Sequence, residues 1–186
     1  MPGCFDDLFY HTYRVRDPVH NFIHFSDAEK KIINLKVFQR LRNVKQLAFT
    51  YYVYPGALHS RFEHSLGVME LATQAVTYLL KKYESEIISN LKKIDLPVQR
   101  AVDCLRLAAL LHDVGHLPFS HGAEAILPKG KKHEDVSIAV IDEMRDKIDN
   151  LYFKEVVRTV TLALAEEEIT PEDAVEMQAI MLNIME

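Results

Sequence analysis

Residues 110–121, which read LLHDVGHLPFSH, decide the fold of this chain. The stretch ends a long apolar helical pattern with a His-Asp pair, and two further histidines, His116 and His121, follow soon after. Gly115 and Pro118 interrupt the helical pattern in the same stretch. Neutral imidazole nitrogens and carboxylate oxygens are metal ligands near neutral pH, and their combination is typical of a metal centre that performs hydrolysis.

The His-Asp pair has two interpretations. In the first, His112 and His116 bind zinc from one helical face, as in the His-Glu-x-x-His hydrolases. The glycine and proline of the stretch argue against an unbroken helix there. In the second, the helix ends near Asp113, and His112 and Asp113 bind a metal together with ligands from other helices. His64 is the natural third ligand, and the sequence favours this second interpretation.

Composition favours one globular domain over residues 1–186, with 48% hydrophobic and 26% charged residues. No apolar run approaches the roughly 20 residues of a membrane span, and the N-terminus does not resemble a signal peptide. We therefore expect an intracellular protein, in the cytoplasm or the nucleus, that does not contact a membrane. Two cysteines argue against a disulfide framework, and a formal net charge of -5 disfavours nucleic acid as a partner.

Hydrophobic periodicity predicts an all-α fold with one small N-terminal β-hairpin, whose strands cover residues 12–16 and 21–25. Ser26 and Glu29 match a capping box and begin a short helix. A polar segment from Glu84 to Asp95 separates two longer helices. The further helices expected, in chain order, run through Phe38, Leu41, Val44 and Leu47, over residues 61–82, from Pro97 to Leu111, from His133, from Tyr152 to Ala165, and from Thr170.

Two stretches resemble the HD-domain superfamily: residues 55–67, PGALHSRFEHSLG, and residues 112–121, HDVGHLPFSH. More narrowly, the chain is similar to the deoxynucleoside triphosphate triphosphohydrolase branch of that superfamily. This narrower resemblance also includes DPVH at residues 17–20, FQRLR at 38–42, KQL at 45–47 and HE at 133–134. The resemblance implies a helical bundle, a homo-oligomer, and hydrolysis of a deoxynucleoside triphosphate to a deoxynucleoside and inorganic triphosphate.

The resemblance also implies a role for each matching residue. Three residues would bind a divalent metal ion, which is iron, manganese, zinc or magnesium: His64, His112 and Asp113. The substrate would be bound by Arg61, His116 and His133 at the polyphosphate and by Gln46 and Leu47 at the deoxyribose. His121 would donate a proton to the leaving group, and Glu124 and His116 complete the catalytic set. Because the reaction expels an alkoxide from phosphorus, it needs a polarising cation, positive contacts to phosphate and an acid.

The chain departs from the family pattern at three places. Glu124 replaces the usual Asp, and Asn34 replaces an Asp that acts with Gln39 and Arg42 to hold a guanine nucleotide in regulated members, which argues against such an activator site. The family completes its metal site with a downstream Leu-Asp-x-Asp-like segment, which does not appear before Glu186. We therefore expect a chain that is shortened at its C-terminus.

Two alternative functions stay open from the sequence. One is a phosphohydrolase of the same superfamily that acts on nucleoside monophosphates or cyclic nucleotides. The other is a catalytically silent module that binds a nucleotide or a partner, because the downstream ligand is missing.

Overall fold

The computed structural model of the chain describes residues 12–128 and 132–145. It begins with the predicted antiparallel hairpin, formed by β1 (Tyr13–Asp17) and β2 (Asn21–Phe25). The Asp17 carboxylate closes the turn because it accepts hydrogen bonds from the main-chain N–H groups of Val19 and His20, both at 2.8 Å. Ile23, on β2, is fully buried and anchors the hairpin to the helices.

The first helix, α1 (Asp27–Ile33), starts at the predicted capping box. The Ser26 hydroxyl accepts from the Glu29 N–H at 3.2 Å, and the Glu29 carboxylate accepts from the Ser26 N–H at 2.7 Å. The same Glu29 carboxylate is buried against Arg106, whose Nε lies 2.7 Å from it. One acidic side chain therefore both starts a helix and neutralises a buried arginine.

The prediction of one helix that continues through Leu47 was wrong. Helix α2 (Lys36–Gln39) is short and continues only as a 3-10 turn, Arg40–Asn43. Val44 is extended, and its carbonyl accepts the main-chain N–H of Arg61 at 2.8 Å. The chain leaves the helical path here because residues 44–46 pair with the segment that begins the next helix, a contact that local periodicity does not contain.

Helix α3 (Arg61–Lys93) is longer than predicted. The polar segment from Glu84, which the pattern left outside the helix, is helical as far as Lys93, and Tyr83 just before it has non-helical angles, with φ of -127° and ψ of 34°. Leu91 is buried there with Leu96 and Ala101 in a small apolar cluster. Tertiary burial of this inner side therefore keeps a charged segment helical.

Helix α4 (Val98–Leu111) follows Pro97, as predicted, and packs chiefly against α3. It ends where the His-Asp pair begins, since His112 is its C-cap residue. A 3-10 segment (Ser120–Ile126) and helix α5 (His133–Arg145) complete the described chain. The main core contains residues from the hairpin and all five of these helices, including Ile23, Ile32, Phe38, Leu41, Phe62, Leu66, Met69, Leu107, Leu110, Leu111, Val114, Ile141 and Met144.

The mostly helical architecture with its N-terminal hairpin confirms the predicted fold class. The helices predicted from Tyr152 and from Thr170 lie outside the described residues. Within the described ranges, no helix is both long and apolar enough to cross a membrane.

Candidate metal centre

The start of α3 and the end of α4 bring three metal-ligating side chains together. The Nε2 atoms of His64 and His112 are 3.3 Å apart, and Asp113 Oδ2 lies 3.4 Å from the first and 3.3 Å from the second. Ligand atoms about 2.1 Å from one ion are separated by about 3.0 to 3.5 Å in octahedral or tetrahedral coordination. This His/Asp cluster, called the triad below, therefore fits a metal ion.

The surroundings of the two histidines shift their pKa values in opposite directions. His112 Nδ1 lies 2.8 Å from the Ala109 carbonyl, which can only accept, so in the neutral ring Nδ1 carries the proton and Nε2 has the free lone pair. Burial lowers the pKa of His112, but its hydrogen bond with Asp113 and the charge of that carboxylate outweigh burial and raise the pKa. Burial, and then the neighbouring His112, lower the pKa of His64, which favours its neutral form.

Asp113 is a buried carboxylate that is kept ionised by its neighbours. Its side chain is 8% exposed, and Arg61 Nη1 lies 2.5 Å from Oδ2. Burial by itself raises the pKa of Asp113, but hydrogen bonds from His112 and His116 and the charges of His112 and Arg61 lower it far below the usual range. The triad therefore supplies one anionic oxygen beside two imidazole nitrogens.

A second histidine cluster adjoins the triad. The ring centroid of His116 lies 3.8 Å from that of His133 and 5.0 Å from that of His121, and His121 and His133 are 5.0 Å apart. His116 Nε2 lies 3.4 Å from Asp113 Oδ1, so Asp113 faces both clusters. His116 is buried, His133 is partly buried and His121 is exposed. The residues from His112 to Gly115 form turns, so the first of the two interpretations, a zinc site on one helical face, does not hold, whereas the favoured ending of the helix near Asp113 does.

Gly115 allows α5 to approach the His-Asp motif. A Cβ atom at this position would lie 2.1 Å from the Ser137 main-chain nitrogen and 2.6 Å from the His133 carbonyl oxygen. The Gly115 N–H donates to Ser137 Oγ at 2.9 Å, and that hydroxyl donates to the His112 carbonyl at 3.3 Å. A hydrogen atom in place of a side chain therefore positions His133 beside His116.

Arg40 and Ser137 support the site, and sequence reasoning missed both. Arg40 donates from Nη1 to the His116 carbonyl at 2.6 Å and from Nη2 to the Val114 carbonyl at 2.5 Å. Its sequence context predicted only a solvated helix face. A lone arginine or serine in a helical pattern carries no local signal of such distant partners.

The other predicted substrate residues lie beside the start of α3. The Gln46 N–H donates to the His59 carbonyl at 3.1 Å, and Gln46 Oε1 is buried with no hydrogen-bond partner among the described residues. Leu47 is 46% exposed. The side chain of Glu124 lies outside what the structure describes.

The residues considered for an activator site line one cavity. Asn34, Gln39 and Arg42 line a cavity of about 310 Å³ between the hairpin, α1 and α3. The replacement of an Asp by Asn34 stays an argument against guanine binding there.

Comparisons with known proteins agree with the resemblance drawn from the sequence. The HD domain family model matches residues 61–181. The chain is 39% identical over 160 residues to the deoxynucleoside triphosphate triphosphohydrolase SAMHD1 of Mus musculus, an alignment covering 83% of this chain and 22% of that protein. It is 38% identical over 146 residues to an uncharacterised protein of Methanocaldococcus jannaschii, covering 78% of this chain and 27% of that protein.

A crystal structure of a phosphohydrolase from Bacteroides thetaiotaomicron superposes with a TM-score of 0.67 at 28% identity, covering 88% of this chain and 37% of that one. The chain thus spans about a quarter of the length of the curated relatives named here. The family match, the identities and the fold agree with one another, and the chain belongs to the HD-domain family.

Proposed function

We propose that this chain carries a metal-dependent phosphohydrolase site that converts a deoxynucleoside triphosphate to a deoxynucleoside and inorganic triphosphate. The observation that carries the proposal is the triad, whose three ligand atoms lie 3.3 to 3.4 Å apart and adjoin a cluster of three more histidines. The names of two similar proteins support it, since one is a deoxynucleoside triphosphate triphosphohydrolase and the other a phosphohydrolase.

His64, His112 and Asp113 would hold the divalent ion, which is iron, manganese, zinc or magnesium. When bound, such an ion polarises a phosphate oxygen and stabilises the negative charge that develops during hydrolysis. The protein contributes ligand side chains that are already in position, so that they need not rearrange when the ion binds. The Ala109 carbonyl fixes the tautomer of His112, and Arg61 and His116 hold the two oxygens of Asp113.

Arg61 would bind the polyphosphate. Its Nη atoms donate to Asp113 and Ser120, but its Nε is buried and has no hydrogen-bond partner in the described part of the chain. A buried N–H without a partner costs about 1–3 kcal/mol, and a phosphate oxygen would remove that cost with a charge-assisted hydrogen bond. His133, which is more accessible than His116, would add a second contact to the same phosphates.

His121 would act as the acid. The reaction breaks the bond between the α-phosphorus and the deoxyribose oxygen, so the departing oxygen needs a proton. His121 is exposed, and its ring contacts the rings of both His116 and His133, so it lies at the open side of the histidine cluster. It would take its next proton from solvent.

Selection of deoxyribose would fall to Leu47 and Gln46. A ribose 2′-hydroxyl pressed against the apolar Leu47 side chain would lose its water without gaining a partner, which penalises ribonucleotides. The homo-oligomer that the resemblance implies is part of the same proposal.

The test is a product assay combined with metal analysis. The purified protein is expected to release inorganic triphosphate and deoxynucleoside from a deoxynucleoside triphosphate, whereas release of a monophosphate would favour the alternative phosphohydrolase reactions. His64→Ala and Asp113→Ala should lose most bound metal and all hydrolysis. His24→Ala, at an exposed histidine on β2, is the matched control and should keep both. Bound metal that is unchanged in both triad variants would refute the ligand assignment.

A further inference from the structure

Two phenylalanines from distant segments stack on each other at the surface. The rings of Phe49 and Phe119 have centroids 4.9 Å apart and an interplanar angle of 23°. Each residue is 55% exposed, so the pair leaves ring surface in water instead of burying it in the core. Contiguous exposed apolar surface, unlike single scattered side chains, is characteristic of binding sites.

Both segments are tied to Arg61, which places the pair at the rim of the metal centre. The Phe49 segment follows Val44, whose carbonyl accepts the Arg61 N–H at 2.8 Å. Phe119 directly precedes Ser120, whose hydroxyl accepts from Arg61 Nη2. Since Arg61 Nη1 lies 2.5 Å from Asp113, the same arginine connects the aromatic pair to the triad.

The backbone around the pair is strained. Ala48, Phe119 and Ser120 have φ values of 46, 72 and 57, in the left-handed region that side chains other than glycine disfavour. Of the five such residues in the described part of the chain, three fall in these two short segments. Strain concentrated in this way is characteristic of ligand-binding segments, where the conformation serves the ligand.

The order of residues along the chain matches the order of groups in a nucleotide. Gln46 and Leu47 are proposed to contact the deoxyribose, and Phe49 comes two residues after Leu47, further along the chain from Val44, whose carbonyl accepts the Arg61 N–H. A nucleotide with its phosphates at Arg61 and its sugar at Leu47 would therefore carry its base towards the open ring surface.

We propose that Phe49 and Phe119 form a stacking platform for the base of the nucleotide substrate. The inference rests on the proposed function, which supplies the positions of phosphates and sugar. Because every base has a π face, stacking tolerates any base. The platform therefore distinguishes a nucleotide from a polyphosphate that has no base, and does not distinguish one base from another.

The experiment measures binding and hydrolysis in the metal-loaded protein. Isothermal titration calorimetry with a deoxynucleoside triphosphate analogue whose 5′-oxygen is replaced by a methylene group, which the reaction cannot cleave, reports binding of the whole nucleotide. Inorganic triphosphate is the probe without a base. Phe49→Ala and Phe119→Ala should each weaken binding of the nucleotide analogue roughly tenfold. Binding of inorganic triphosphate should change less than twofold. In hydrolysis, the loss should appear in KM with kcat nearly unchanged.

Two further variants separate stacking from general damage. Phe49→Tyr keeps an aromatic ring and should restore nucleotide binding. Tyr78→Ala removes another exposed aromatic side chain, on α3 about 20 Å along the helix axis from His64, and should leave both ligands unaffected. Thermal unfolding should be nearly unchanged, because truncating a half-exposed ring leaves no buried cavity.

The outcomes distinguish the platform from the activity. Selective loss of nucleotide binding in the two alanine variants supports the platform even if the wild-type protein releases no triphosphate. Equal weakening of nucleotide and inorganic triphosphate, no weakening of either, or no binding of the analogue to the wild-type protein would overturn the platform, and hydrolysis in the wild type would then stand on its own.

Discussion

Replacing Gly115 with alanine should destabilise the protein and disable the site together. The added Cβ would lie 2.1 Å from the Ser137 nitrogen, whereas non-bonded heavy atoms need about 3.5 Å or more. The nearest atoms, including the His133 carbonyl oxygen at 2.6 Å, belong to the main chain of α5 and not to a flexible side chain. Helix α5 must therefore move by more than about 1 Å relative to the His-Asp motif.

The cost has two parts. Overpacking costs about 1–3 kcal/mol where neighbours can adjust, and a helix backbone adjusts poorly. Moving α5 also breaks the hydrogen bond from the Gly115 N–H to Ser137 Oγ, and a buried N–H without a partner costs about 1–3 kcal/mol. Together the free energy of unfolding should fall by about 3–5 kcal/mol, which lowers Tm by roughly 10 °C in a protein of this size.

Urea unfolding followed by circular dichroism measures the loss of stability, and the chain supplies its own controls. Nothing lies within 4 Å of a Cβ built at Gly56 or Gly122, so Gly56→Ala and Gly122→Ala should stay within about 0.5 kcal/mol of the wild type. Hydrolysis by Gly115→Ala should fall even at temperatures where it is folded, because His133 leaves His116. A Gly115→Ala variant as stable and as active as these controls would refute the account of close packing.

Three more predictions follow from two buried arginine contacts and from the metal centre. Arg106→Ala leaves the buried Glu29 carboxylate without its cation and should lower the free energy of unfolding in urea by about 3–5 kcal/mol. Replacing both residues with leucine should recover part of that loss, and equal losses in the two variants would contradict the ion-pair argument. Arg40→Ala removes two hydrogen bonds to carbonyls of the His-Asp motif and should lower metal affinity at least tenfold in competition with a chelator, while an unchanged affinity would show that Arg40 does not position the ligands. Metal removal should lower the free energy of unfolding by about 2.7 kcal/mol relative to metal at 100 times its Kd, and a calorimetric scan should show no such shift in Asp113→Asn or His64→Ala.

Local rules account for the parts of the fold that the sequence predicted correctly. The hairpin depends on Asp17, whose carboxylate binds the two following N–H groups, and the start of α1 depends on Ser26 and Glu29 binding each other's main chain. Gly115 and the proline after it predicted that α4 ends at the His-Asp pair, and the structure confirms this ending. Each signal acts within a few residues, so a single sequence contains it.

The errors occurred where distant contacts outweighed local preference. The pattern through Leu47 is helical by spacing, yet Val44 is extended because its carbonyl accepts the N–H of Arg61. The pattern left the polar segment from Glu84 outside the helix, yet burial of Leu91 against Leu96 keeps it helical as far as Lys93. Hydrophobic periodicity does not report which segment will supply a partner.

The candidate site divides in the same way. Residue types and their resemblance to a family identified His64, His112 and Asp113 as a set, because imidazole and carboxylate beside a helix end have a limited range of uses. Only the tertiary structure decided that their ligand atoms lie 3.3 to 3.4 Å apart and that Asp113 also faces His116. Those distances depend on the packing of α3 against α4 and on the space that Gly115 leaves for α5, and packing is a property of the folded chain and not of any one segment.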